Sequence, residues 1–169
     1  MKPQRRPKES IDRLPNEPIE LSPFEPISKK QSVFYRERLN QLLAPFGAFA
    51  ELSGSLELEI ATKGEWDFAI YLTDEQWFPV LVCLINHFHS IHFLEDDFAV
   101  FTDRSEGKDV EVFPMRGDAA RRNRAIMGFW RNNPEALIDY EQGKLQHAFS
   151  KQEYYRWKDE YLARIVERL

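Results

Sequence analysis

The sequence predicts an α/β (α+β) domain, with a small mixed β-sheet, flanking helices and a helical C-terminal part. Two-residue alternation in "WDFAIYL", "FAVFTD" and "DVEVFPM" marks strands, and longer stretches with helical spacing lie between them. From about residue 118 onward the pattern is helical throughout. The 169 residues are 43% hydrophobic and 30% charged, the profile of a soluble globular chain long enough for one core.

Residues 1–19 are rich in Pro, Lys, Arg and Glu without periodicity, and read as a mobile tail; the domain is expected over 20–169. In "PIELSPFEPI" the prolines at 18, 23 and 26 forbid a helix and predict an extended arm lying on the domain. "SKKQSVFYRERLNQLLAPF" places Val33, Phe34, Leu39, Leu42 and Leu43 at helical spacing, with Ser28 as the expected N-cap. "AFAEL" is a short strand candidate and "WDFAIYL" a stronger one, dense in aromatic and β-branched residues. "DEQWFPVLVCLINHFHS" reads as a helix capped by Thr73 or Asp74, with Pro79 in its early turns. "IHFLED" and "FAVFTD" alternate, "RSEGK" turns, and "DVEVFPM" alternates again. Three helices close the chain, the second opened by Pro134 and the third by Ser150.

Charge and composition narrow the function classes. The net charge of −5 gives no footprint for broad nucleic-acid binding, while leaving room for a local basic patch. Cys83 is the single cysteine, so no disulfide forms within the chain, and its apolar surroundings predict a small core residue. No apolar run is long enough to span a bilayer, and the basic N-terminus lacks an apolar signal core; a cytoplasmic protein is expected.

The chemistry lies in "GSLELEIATKGEWDFAIYL". Phosphoryl and nucleotidyl transfer need a divalent cation, usually Mg²⁺, held by oxygen ligands beside the phosphates. Glu65 and Asp67 stand at i and i+2, so on a strand they share one face and can share one cation. A third carboxylate from a neighbouring strand would close the site. Glu111 on "DVEVF" is expected there, because Asp109 lies nearer the turn and solvent. Gly54-Ser55 supplies a turn where a phosphate can approach the backbone and meet hydroxyl and N–H donors. The same acid–apolar alternation recurs at Glu57-Leu58-Glu59-Ile60, so the pattern by itself also fits half-exposed strands. Glu57 and Glu59 are expected to be solvated.

The order of motifs along the chain resembles the GrpB family of the nucleotidyltransferase-fold superfamily. "IELSPFEPI" resembles the family's opening. In "LSGSLELEIATKGEWDFAIYL" Gly54, Ser55, Lys63 and Asp67 keep the family's order, and "VEVF" occupies its later strand. "FWRNNPEALIDYEQGKL" matches through Arg131, Pro134, Glu135, Ala136, Tyr140 and Lys144, and the final helix through Tyr154 and Lys158. The resemblance covers roughly residues 19–169. It departs at Leu52 and Leu56, and the turn after Gly-Ser is shorter. It implies a nucleotidyltransferase-like fold, with a nucleoside triphosphate on Gly54, Ser55, Lys63, Arg131 and Lys144, to which the local basic cluster adds Arg124. Of the acid pair only Asp67 is a family position, and Glu65 adds the acid–x–acid pair that the wider superfamily uses for metal; Mg²⁺ would be held by Glu65, Asp67 and Glu111, and the acceptor is not specified. The altered Gly-Ser segment equally suits a non-catalytic nucleotide-binding, small-ligand-binding or protein-interaction module.

Other residues have plainer readings. His87, His89 and His92 run off a helix end without a completing ligand set, and fit boundary histidines better than zinc ligands. Arg116, Arg121, Arg122 and Arg124 suit a triphosphate or a solvated face equally. Arg131 and Lys144 either reach the cleft or pair with Glu135 or Glu141. Phe129, Trp130, Tyr154, Tyr155 and Trp157 are expected between helices.

Overall fold

A computed structural model describes residues 8–169. Its five-stranded sheet has the order β1 (Ala50–Ser53), β2 (Trp66–Tyr71), β5 (Lys108–Met115), β4 (Ala99–Ser105), β3 (Phe93–Leu94). β2 and β5 are parallel and the other neighbours antiparallel, which makes the sheet mixed, as expected. The β2–β5 register sets Asp67 opposite Glu111.

Alternation along the strands sorts their side chains onto two faces. Trp66, Phe68 and Ile70 of β2, Val110 and Val112 of β5 and Phe101 of β4 form one apolar face. It packs on Tyr35, Leu39 and Leu43 of α2 (Pro26–Leu43) and on Trp77, Val80 and Leu84 of α4 (Asp74–Phe88). Each such buried side chain contributes about 1.5–3 kcal/mol. On the other face Ala69 and Met115 meet Ala119 and Ala120 of α5 (Gly117–Asn132).

The last two helices, α6 (Pro134–His147) and α7 (Lys151–Arg168), join α5 around a second cluster of Met127, Trp130, Tyr140 and Ile165. Leu58 and Ile60 belong to this cluster, so the segment after β1 is held between sheet and C-terminal helices. The Tyr140 ring lies 4.5 Å from that of Trp130 and 5.6 Å from that of Trp157, so these aromatics do serve as packing between helices.

Helix ends follow local chemistry. Thr73 caps α4 through a reciprocal pair with Gln76, a complete capping box. Ser150 caps α7 by accepting from the Glu153 N–H. The arm before α2 is extended, and Ser22 exchanges two backbone bonds with Thr62, at 2.8 and 2.9 Å.

Four local expectations differ from the structure. Residues 1–7 of the expected tail lie outside the described residues, but Lys8–Asp12 form a short helix, α1. Ile11 in it is only 4% exposed, and Asp12 pairs with Arg156 of α7. One apolar anchor among polar neighbours gives no periodic signal. Ser28 is not an N-cap: α2 begins at Pro26, and Ser28 sits inside it, buried, accepting from Trp66 Nε1 at 3.0 Å. Cys83 is half-buried on the outward side of α4, because the apolar run turns several of its members away from the core. Glu57 is not solvated, as the next subsection describes.

Candidate functional site

The three acids converge. One carboxylate oxygen each from Glu65, Asp67 and Glu111 lies within 4.8 Å of the others. The cause is the parallel pairing: Asp67 and Glu111 are register partners on one face, and Glu65 immediately precedes β2. Glu65 and Glu111 also line a cleft of about 330 Å³ with Thr102, Asp103, Asp109 and Val110.

Gly54 closes the site from the neighbouring strand. It follows β1 directly, opens the single-turn helix α3 (Gly54–Glu57) and has φ +64°. A Cβ built on it would fall 2.1 Å from Asp67 Oδ2, so only glycine lets the backbone lie against this carboxylate. The expected Gly-Ser turn is therefore the first turn of a helix, seated on the acid.

Crowding shows in the electrostatics. Burial, with repulsion from Glu111 and Glu65, pushes the Asp67 carboxyl up to about 7, against the pull of Lys158 and Lys63. Burial and Glu65 also raise the carboxyl of Glu111. Lys63 donates to Glu65 Oε1 at 2.8 Å. Burial works against its charge, but Glu65 outweighs that and holds the ammonium well above its ordinary value. Lys158 of α7 acts through space on Asp67, Glu111 and Lys144. It belongs electrostatically to the candidate site and is absent from the expected set, although its place in the final-helix pattern is a usable signal.

Lys144 and Ser55 are joined, and neither is among the residues that line the cleft. The Lys144 side chain is buried, and its Nζ donates to Ser55 Oγ at 2.7 Å and to the Ala61 carbonyl. Burial first, then Lys158, lowers its ammonium to about 7. Glu141 does not pair with Lys144; its carboxylate accepts the Ala61 N–H at 2.6 Å.

The arginines are engaged elsewhere. Arg131 grips Glu57 Oε1 through Nε and a terminal nitrogen, both at 3.0 Å, in place of Glu135 or Glu141. The other Glu57 oxygen is buried without a partner. Arg124 lies 4.2 Å from the centroid of the Tyr71 ring. Arg116 pairs with Asp74 and Arg121 with Asp118. His87, His89 and His92 join no cluster; among the described residues the three acids are the one such grouping.

The donor set fits a hard divalent cation. Oxygen–metal distances of roughly 2.0–2.6 Å put ligands of one ion within about 5 Å of each other, which these oxygens satisfy. Burial first, then the neighbouring Glu111 and Glu65, disfavour the charged form of Asp67, and a bound cation would favour it. A larger groove of about 710 Å³, lined by Leu42, Phe46, Phe78 and Val82, lies over the outer surface of α4 and contains no acid. The acids Glu65 and Glu111 line the smaller cleft instead.

No protein-family model matches the chain, and no curated protein does. Solved structures do match. One is of Cid1 in complex with the UTP analog UMPNPP, with 13% identity and a TM-score of 0.46, covering 81% of this chain and 40% of that one. Another is of the Cid1 poly(U) polymerase with Mg and 3'-dATP bound, with 11% identity and a TM-score of 0.47, covering 87% and 51%. The chain thus spans about half or less of the length of these structures.

Proposed function

We propose that this chain is a GrpB-like protein of nucleotidyltransferase fold that transfers a nucleotidyl group from a nucleoside triphosphate to an acceptor, with Mg²⁺ in attendance. The observation that carries the reading is the approach of Glu65, Asp67 and Glu111 within 4.8 Å, with Gly54 seated on Asp67. In this reading the three carboxylates hold the cation and the phosphates lie on Gly54-Ser55. Bound there, the cation would offset phosphate charge and acidify an acceptor hydroxyl or amine. Ser55 would donate its hydroxyl hydrogen to a phosphate oxygen, and Lys63 and Lys158 would balance charge around the acids. Titration calorimetry with ATP, GTP, CTP and UTP in Mg²⁺ tests this. Binding lost in Asp67→Ala supports the reading; no binding, or binding indifferent to that substitution, defeats it.

A second reading, a non-catalytic ligand-binding or protein-interaction module on the same fold, is favoured by the apolar outer face of α4. Phe78 there is 73% exposed, with Val82 and Ile85 beside it. That reading expects ligand binding without any dependence on Mg²⁺.

A further inference from the structure

Among the described residues Lys144 is the only buried lysine, with 1% exposure. An ammonium out of water is expensive unless its donors are used. Here two are used on one loop: Nζ donates to Ser55 Oγ at 2.7 Å and to the Ala61 carbonyl. One helical turn earlier, Glu141 takes the Ala61 N–H at 2.6 Å. Helix α6 thus holds both polar groups of Ala61 and the side chain of Ser55. These points bracket the segment that runs from Gly54 to Lys63.

Protonation of Lys144 sets the direction of the Ser55 bond. The ammonium form has three donors and no acceptor, so in that form Ser55 Oγ must accept. Its own hydrogen is then free to be given to something else. A positive charge behind the oxygen also makes that hydrogen a stronger donor. Ser55 is partly exposed, whereas Lys144 is not. The lysine therefore has no surface to offer a ligand, while the serine has.

We infer that Lys144 is a positioning residue that orients the Ser55 hydroxyl as a donor to the terminal phosphates of a polyphosphate ligand, acting from beneath the turn. The inference rests on the reading of Gly54-Ser55 as the phosphate turn. It differs from a direct lysine–phosphate contact, and it makes Ser55 and Lys144 one unit.

The test is a double-mutant cycle on inorganic tripolyphosphate, titrated calorimetrically in Mg²⁺ and again in EDTA. Lys144→Met and Ser55→Ala should each weaken binding roughly tenfold or more, the range of a hydrogen bond to a charged group. The double variant should bind no worse than Ser55→Ala alone, because the lysine acts through the serine. Should Lys144→Met fail to fold, the Lys144 Nζ resonance of the ¹⁵N-labelled protein gives the answer with the lysine intact. It should move on tripolyphosphate addition and stay still in Ser55→Ala. Additive penalties, a folded Lys144→Met that binds like the unaltered protein, an unmoved resonance, or no tripolyphosphate binding would each overturn the inference. If the cycle holds while nucleotide binding ignores both Mg²⁺ and Asp67→Ala, the metal-dependent transfer reading fails and this inference stands.

Discussion

Gly54 and Asp67 touch across the β1–β2 pair so closely that a methyl group on the glycine would fall 2.1 Å from the carboxylate oxygen. Gly54→Ala should therefore displace Asp67 from Glu65 and Glu111, and it also places a side chain at φ +64°. Stability should fall by about 1–3 kcal/mol from strain and overpacking. The sharper effect should be loss of any Mg²⁺-induced rise in melting temperature, read by thermal shift with and without the ion.

Asp67 should destabilise the metal-free protein near neutral pH. Its carboxyl rises from 3.8 to about 7 on folding, so the native state binds more protons than the unfolded state between roughly pH 4 and 7. Stability from this group falls as pH rises through that window and stays low above it. Asp67→Asn should thus be more stable than the native sequence at pH 8, by on the order of 2 kcal/mol, and nearly equal to it at pH 4. Urea unfolding at the two pH values checks the sign. Mg²⁺ should stabilise the native sequence and leave Asp67→Asn unmoved.

Gly143 precedes Lys144 and lies against Trp157, where a Cβ would meet Cζ2 at 2.1 Å. Gly143→Ala gains helix propensity of about 1 kcal/mol, yet it should lose stability overall. Overpacking between α6 and α7 costs about 1–3 kcal/mol and cannot be relieved by a flexible side chain. Thermal unfolding gives the size, and the tryptophan emission of the native state should change with it.

The α4 face should tolerate change. Phe78 is largely exposed, so Phe78→Ser should alter unfolding free energy by no more than about 0.5 kcal/mol. Cys83 beside it is half-buried, and burial pushes its thiol up. It should react with a disulfide reagent at pH 7 without unfolding, but more slowly than free cysteine. Protection equal to that of a buried core thiol would contradict this placement.

Much of the framework was legible because short-range periodicity dictates it. The alternation of "WDFAIYL" and "DVEVFPM" gave two strands, and parity put Asp67 and Glu111 on definite faces. What periodicity cannot supply is which strands pair. Glu111 joins Glu65 and Asp67 only because β5 lies beside β2, in parallel and in one register. The same limit explains Lys144, whose helix position was plain but whose depth depends on how α6 meets the Ala61 loop. It also explains Glu57, read as solvated, which Arg131 covers from a helix 74 positions away. Ser28 departs from its expected capping role for a local reason: Pro26 is a good first helical residue, so the helix starts before the serine.

The parallel pairing of β2 with β5 makes the acid cluster a clock for assembly. Its two central members are held 44 positions apart in the chain by a crossover that contains α4, β3 and β4. Closing so long a loop is entropically slow, and local folding of either strand brings no ligand set together. A nascent chain that ends before Glu111 lacks the third carboxylate of the cluster, whatever helices it has formed. Cation affinity would then appear as a late, cooperative event, and a luminescent lanthanide added during refolding would time the docking of the last central strand.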